Sequence, residues 1–197
     1  EFVYFCRPDS VVDGRSVYDI RKRMGRKLAL ETGVEADVIV PVPDSGVAAA
    51  IGYASASNLK FRFGLVRNHY VGRTFIQPSQ FMRDFRVRVK LNPIRDVLKG
   101  KKVVLVDDSI VRGTTSRSRI DEIRKAGAKE IHMRISCPPI KFPCFYGIDF
   151  PSTKELIAHN KTIKEVADFI EVDTLAYLSL EGMLSVMKSQ DFCTACF

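Results

Sequence analysis

V-V-L-V-D-D-S-I-V-R-G-T-T-S, Val103 to Ser116, decides how this chain is read. Val103–Val106 is a short apolar run between Lys102 and Asp107, the pattern of a strand covered on both faces. Two carboxylates, Asp107 and Asp108, stand where the run ends. A loop with one glycine, Gly113, then leads into three hydroxyls, Thr114, Thr115 and Ser116. Ile120, Ile123 and Ala126 follow at helical spacing, with Gly127 placed to stop the helix. In open α/β sheets, ligands sit at the carboxyl ends of the strands. A loop entering a helix N-terminus offers unpaired N–H groups and a partial positive charge, which suit a phosphate. The acid pair suits hydroxyl groups or a hard cation such as Mg2+. The stretch therefore describes a ligand with a phosphate at one end and a diol or metal at the other, as in a ribose 5-phosphate. The plainer reading is an acidic strand end followed by an ordinary helix cap.

Working outward, Val38–Val42 reads as a second buried strand that stops at P-D-S-G, Pro43 to Gly46. The small, apolar run from Val47 to Ser57 predicts a helix packed closely on the sheet. Asp44, Ser45 and Gly46 would face the ligand from a neighbouring strand end, or else form a plain turn capped by Asp44 or Ser45. Phe61–Val66 is a third strand candidate, and Glu130–Ser136 another. Arg67 to Arg95 has no sustained period and many cations. A loop this long is uncommon in a compact domain unless it is functional, such as a lid, and the alternative is a solvated basic loop. Upstream, Glu1–Ser10 is expected as an edge strand, and Val17, Ile20, Met24 and Leu28 mark an amphipathic helix over about 15–31, ended by Gly33. Downstream, Pro138, Pro139 and Pro143 break regular structure. Ser152 with Glu155, and Thr162 with Glu165, each fit a capping box ahead of a helix. Leu175–Leu184 adds an apolar segment. The expected architecture is α/β, one domain over residues 1–197. It has a twisted, mostly parallel sheet with helices on both faces and a small hood from both chain ends.

The chain is 46% hydrophobic, and no apolar run approaches the roughly 20 residues of a membrane span. No secretory signal is visible. Net charge is +8, and the segment Lys60–Lys102 alone holds 12 Lys and Arg against Asp84 and Asp96. Such a surplus implies an anionic partner, and the phosphate-binding stretch favours a small polyphosphate over nucleic acid. Five cysteines in a chain expected to be cytoplasmic do not suggest a disulfide framework. Cys193 and Cys196 form a C-x-x-C pair, and Cys144 lies in a proline-rich loop. Such thiols can hold zinc or an iron–sulfur cluster, or can simply be buried. His69, His132 and His159 are scattered and read as structural or surface residues.

The central stretch resembles the signature of type I phosphoribosyltransferases, which bind phosphoribosyl pyrophosphate (PRPP). R-P-D-S at Arg7–Ser10, P-D-S-G at Pro43–Gly46, Y-V-G-R-T-F-I at Tyr70–Ile76 and P-C-F-Y-G-I-D at Pro143–Asp149 are similar to the glutamine PRPP amidotransferase family. The likeness covers nearly the whole chain. It implies a type I phosphoribosyltransferase fold and displacement of pyrophosphate from PRPP by ammonia, giving phosphoribosylamine at the first committed step of purine synthesis. It implies that Arg67–Lys90 is the flexible catalytic loop, with Arg67, Tyr70 and Arg73 catalytic. Asp44, Ser45 and Gly46 would hold the pyrophosphate. Asp107, Asp108, Ser109, Arg112, Gly113, Thr114, Thr115 and Ser116 would bind the rest of PRPP, and Ser45, Asp107 and Asp108 would hold Mg2+. In one branch of the family, cysteines matching Cys144, Cys193 and Cys196 bind a structural [4Fe–4S] cluster. The fourth ligand there lies just before the position of Glu1, and Cys6 is the nearby substitute. The chain starts at Glu1 without methionine, so an excised piece lacking the glutaminase domain, and hence glutamine-dependent activity, is expected. Purine nucleotide inhibitors and a homo-oligomer are further expectations, and neither membrane nor nucleic acid is. The rival readings are a transferase for purine or pyrimidine bases and a non-enzymatic PRPP-binding regulator that contacts nucleic acid. The Tyr70–Ile76 segment argues against both.

Overall fold

A computed structural model describes residues 1–67, 91–144, 146, 148, 152–187 and 191–197. The chain does not open on a strand. Residues 1–10 make turns instead, with Cys6 N–H donating to Glu1 O and, within R-P-D-S, Ser10 N–H to Arg7 O. A two-stranded hairpin follows, β1 (Val11–Val12) against β2 (Arg15–Ser16). Its connection is Asp13-Gly14, both with positive φ, the Asp-Gly pair that tight hairpins favour.

Helix α1 (Val17–Glu31) is capped by Ser16, whose hydroxyl accepts from Asp19 N–H, and it buries Val17, Ile20, Met24 and Leu28. Strand β3 (Val38–Pro41) is wholly buried, and helix α2 (Val47–Ser57) follows it. The two helices touch backbone to backbone. A Cβ on Gly25 would run into the Ala49 carbonyl, and one on Gly52 into the Lys22 carbonyl.

The single strand expected over Phe61–Val66 is two. Strand β4 (Lys60–Phe61) pairs with β3, while β5 (Leu65–Arg67) pairs antiparallel with β6 (Leu91–Pro93) in a separate ribbon. The break falls at Gly64, where any Cβ would press on the Val40 side chain at 2.8 Å, so the chain crosses the sheet at close range and leaves it. A short helix α3 (Arg95–Leu98) leads to β7 (Lys102–Asp107). Then come α4 (Thr114–Lys125) and β8 (Glu130–Ile135). A 3-10 turn (Thr153–Glu155), α5 (Ile157–Asn160) and α6 (Ile163–Ile170) follow. The Leu175–Leu184 segment divides into β9 (Thr174–Tyr177) and α7 (Leu180–Met187).

Of the two expected capping boxes, Thr162–Glu165 forms in full. Ser152–Glu155 does not form. Ser152 makes no side-chain cap, only a 3-10 turn follows, and the Glu155 carboxylate goes to Arg112.

The main sheet runs β4-β3-β7-β8-β9, parallel throughout. Val103, Val104, Leu105 and Val106 at its centre are fully buried. From β3 the chain passes through α2 to one side, and from β7 through α4 to the other. Right-handed crossovers in opposite directions put helices on both faces. The order therefore reverses between β3 and β7, and such a switch point opens a crevice at the carboxyl ends of the strands. The register Pro41↔Val106 and Asp107↔Ile135 aligns those ends, so P-D-S-G and D-D-S-I-V-R-G-T-T-S leave the sheet side by side. His132 is buried on β8 with Nδ1 3.1 Å from Thr174 Oγ1, a structural position.

The chain ends meet. Phe2 packs edge-on against Phe192 at 6.0 Å, and the Lys141 and Phe142 N–H groups donate to Cys196 O at 2.8 and 3.2 Å. The backbone contact of α1 and α2 gives a direct test. Gly52→Ala should cost about 1–3 kcal/mol, the range for overpacking a close-packed contact. Urea denaturation measures it, and an unchanged midpoint would contradict the contact.

Candidate functional site

Asp107 ends β7 and is only 3% exposed. Its Oδ1 accepts from the Ser45 hydroxyl at 3.0 Å and from Asp108 N–H at 2.9 Å. Arg119, one turn inside α4, donates to Oδ2 at 3.3 Å. The P-D-S-G loop is thus tied to the acid pair by its serine and does not serve as a plain cap. The N-cap of α2 is Gly46, with no side-chain bond. Asp44 turns to Arg67, whose Nη2 lies 3.1 Å from its Oδ2. Gly46 lies so close to β7 that a Cβ there would strike the Val106 carbonyl oxygen. The Pro43–Asp44 peptide bond is cis.

Asp108 is half-buried and accepts from the Ser109 hydroxyl at 3.0 Å. Burial, then the charge of Asp108, pushes the Asp107 carboxyl up to about 7 against the pull of Arg119. Burial also raises Asp108, opposed by the Ser109 hydrogen bond and by the charge of Arg21. Arg21 is 4% exposed and donates to Phe2 O and Cys6 O, each at 2.8 Å. Each acid therefore has its own guanidinium nearby, Arg119 from α4 and Arg21 from α1.

These two arginines were not among the candidate residues. Arg21 left a signal, a cation adjoining Ile20 on the buried stripe of α1. Arg119 left only its position one turn past the hydroxyl run.

At the other end of the site, Gly113 is the N-cap of α4 with φ +76°, a conformation that favours glycine. A Cβ there would also meet Ile157 Cδ1 at 2.7 Å. Arg117 N–H donates to Gly113 O at 2.9 Å and opens the helical ladder. Thr114, Thr115 and Ser116 form the first turn, where backbone N–H groups lack helical partners. Arg112 projects beside it and pairs with Glu155 at 2.6 Å.

Ser45, Asp107, Asp108 and Ser109 thus form one hydrogen-bonded group, with Gly113–Ser116 at the head of α4 and Asp44 joined to Arg67. Tyr70, Arg73 and the rest of the expected Arg67–Lys90 loop beyond Arg67 lie outside the described residues.

Among the described residues, no three His, Cys, Asp or Glu side chains form a group that could hold a metal ion. Two carboxylates and the Ser45 hydroxyl make a partial set of hard oxygen donors. That fits Mg2+, which keeps several waters and takes its other ligands from bound phosphates. The Cys193–Cys196 segment lies against the stretch of chain that leads to Cys144, through the bonds of Lys141 and Phe142 to Cys196 O. Burial raises the Cys196 thiol, with smaller contributions from Cys144 and Cys193, and its Sγ lies 3.9 Å from Tyr4 Oη. Among the described residues these thiols do not form a metal-holding group. Cys6 packs against the apolar core, and Cys137 is buried at the end of β8 with its thiol donating to Pro138 O.

Arg119→Met should leave the Asp107 carboxylate buried without its cation. The expected loss is about 1–3 kcal/mol at pH 8, the cost of an unsatisfied buried group. A carboxyl whose folded pKa is raised to about 7 is protonated at lower pH, and the neutral acid needs no cation. The penalty should therefore shrink at pH 5. Denaturation at both pH values tests this, and an equal penalty would contradict the assignment.

Comparison with known proteins agrees with this geometry. Residues 9–171 match the model of the phosphoribosyl transferase domain. The chain is 57% identical over 196 residues to an amidophosphoribosyltransferase of Methanocaldococcus jannaschii, covering 100% of this chain and 42% of that protein. It is 56% identical to the Synechocystis amidophosphoribosyltransferase, covering 40% of it. The solved glutamine PRPP amidotransferase of B. subtilis, complexed with ADP and GMP, superposes with a TM-score of 0.87 at 52% identity, over 99% of this chain and 43% of that one. A solved allosteric regulatory enzyme of purine biosynthesis gives 0.90 at 52% identity, over 100% and 43%. The chain spans about two fifths of the length of these curated relatives. With a family model covering most of its length, the chain belongs to the phosphoribosyl transferase domain family.

Proposed function

We propose that the chain carries out phosphoribosyl transfer to ammonia. Pyrophosphate is displaced from C1 of PRPP and 5-phosphoribosylamine is formed, the transfer half of an amidophosphoribosyltransferase. The observation that carries the reading is the Ser45–Asp107 hydrogen bond at the switch point. It sets a candidate pyrophosphate loop against a candidate ribose loop at the ends of neighbouring strands. The identity with amidophosphoribosyltransferases supports the choice of acceptor.

In this reading Asp107 and Asp108 accept hydrogen bonds from the ribose hydroxyls and fix the ring. The N–H groups and hydroxyls of Thr114, Thr115 and Ser116 take the 5-phosphate, aided by Arg112 and the helix dipole. The turn at Asp44, Ser45 and Gly46 receives the pyrophosphate, with Arg67 beside it. Tyr70 and Arg73 act from the loop. Mg2+ held by Ser45, Asp107 and Asp108 would neutralise charge developing on the leaving group. The ammonia lone pair forms the C–N bond as the C1–O bond breaks. Pyrophosphate leaves with the electron pair, and the surplus proton passes to water. Ammonia is already a nucleophile, so no strong general base is needed.

A glutaminase unit as the ammonia source, purine nucleotides as inhibitors, assembly into a homo-oligomer and a cytoplasmic location complete the proposal. No helix among the described residues is long and apolar enough to cross a membrane. A structural [4Fe–4S] cluster on Cys144, Cys193 and Cys196, with Cys6 fourth, is carried by the likeness of the C-x-x-C pair and the P-C-F-Y-G-I-D loop to one branch of the family, although among the described residues these thiols do not form a metal-holding group. It takes no part in the transfer. Protein purified without oxygen should be brown and lose its colour in Cys193→Ser, and colourless, iron-free protein would overturn the cluster.

Pyrophosphate release from PRPP should occur with ammonium and not with adenine. Release with adenine alone would favour base transfer, and release with neither would favour a regulator. Asp107→Asn combined with Asp108→Asn should weaken Mg–PRPP binding by several kcal/mol, as two charge-assisted contacts are worth roughly 1.5–3 kcal/mol each. Unchanged affinity by calorimetry would defeat the assignment of the acid pair.

A further inference from the structure

Glu155 is outside the residues assigned to the ligand, yet its carboxylate lies 2.6 Å from Arg112 Nε. By its place in the sequence it should serve its own helix start, as Glu165 serves Thr162. Only its backbone does so, donating to Ser152 O at 2.8 Å. The side chain is turned onto the loop before α4. The segment around it is fastened to the same loop. Ile157 N–H donates to Val111 O at 2.9 Å, and the Ile157 side chain fills the space that a Cβ on Gly113 would need.

Arg112 immediately precedes the left-handed Gly113 and the hydroxyl turn. A guanidinium there is a good fork for phosphate oxygens, and a carboxylate uses the same donors. Both side chains of the pair are about half exposed, at 57% and 49%. A phosphate can therefore reach Arg112, and water can take up Glu155 once it is released.

We propose that Glu155 is a positioning residue that sets the phosphate affinity of the Gly113–Ser116 loop by competing with the ligand for Arg112. The inference rests on the reading of that loop as a phosphate site. In the free protein Glu155 parks the guanidinium. When phosphate arrives, Arg112 exchanges one anion for the other, and Glu155 faces solvent. Part of the gain from the new contact is spent in breaking the old one.

Calorimetric titration of the full chain with Mg–PRPP and with ribose 5-phosphate tests this in the wild type, Glu155→Gln, Arg112→Gln and the double variant. Glu155→Gln should bind both ligands about two- to fivefold more tightly, the scale of an exposed ion pair, with an unchanged thermal midpoint. Arg112→Gln should bind both more weakly. In that background Glu155→Gln should add nothing, because Glu155 acts only through Arg112. A purely structural latch would instead lower the midpoint and loosen binding. Affinity in Glu155→Gln equal to or below that of a wild type that binds would overturn the inference alone, as would the same gain without Arg112. A wild type that binds neither ligand would overturn the phosphate-site reading and the inference with it.

Discussion

The burial of one carboxylate constrains the rest of the site. Asp107 closes a strand whose four preceding residues are fully buried, so its backbone direction is set by the sheet. A carboxylate taken out of water must find donors, and those donors come from three places. Ser45 reaches across from the neighbouring strand end, Asp108 supplies its own N–H, and Arg119 reaches back from α4. Satisfying this one group fixes the distance between the two strand-end loops and orients the first turns of α4. The two strand-end loops at the switch point are tied together through this one carboxylate.

The same accounting extends to the surface of the site. Asp44 pairs with Arg67 and Glu155 with Arg112. In each case a residue expected to face an anionic ligand is engaged by a charge of opposite sign from the protein. A site for a polyphosphate must carry concentrated positive charge, which repels itself when no ligand is present. Partnering its cations with nearby acids relieves that repulsion in the free protein. Exposed pairs suit the task because they are weak and exchange readily. The pair of Arg119 with the buried Asp107 is less exposed, and it holds the acid at the strand end in the free protein.

Much of the frame was legible because it depends on local patterns. Helix α2 spans Val47–Ser57 as its small apolar run predicts, and β7 extends the Val103–Val106 run by one residue at each end. The Thr162–Glu165 box was readable because both of its hydrogen bonds span three residues. What escaped depends on distant contacts. Phe61–Val66 has the composition of one strand, and it splits at Gly64, where the backbone passes so close to Val40 that no Cβ would fit. Glu155 has the spacing of a cap, and only a loop 43 residues away claims its carboxylate. The hairpin at Asp13-Gly14 is a different case. Its turn signal was present in the sequence, but the apolar residues before it pointed to a strand placed too early. The order of strand, acid pair, glycine and hydroxyls identified the candidate loops but could not name Arg21 or Arg119, because neither lies in the motif.

Arg21 carries the last link between fold and site. Its guanidinium binds the carbonyls of Phe2 and Cys6 and acts through space on Asp108. A buried cation is costly unless its donors are satisfied. Here two of them are satisfied by backbone oxygens of the N-terminal turn, not by an acid, so its charge stays available to Asp108. The N-terminal turn also packs on the C-terminal segment, where Phe2 meets Phe192 and Tyr4 lies beside Cys196. Both ends of the chain thereby bear on one charge next to the acid pair. The N-terminal turn and the thiol-bearing segment are remote from the strand ends in sequence, yet the turn holds Arg21 and packs on that segment. The electrostatics of the candidate ribose site therefore extend beyond its motif to residues whose only local task is to close the fold.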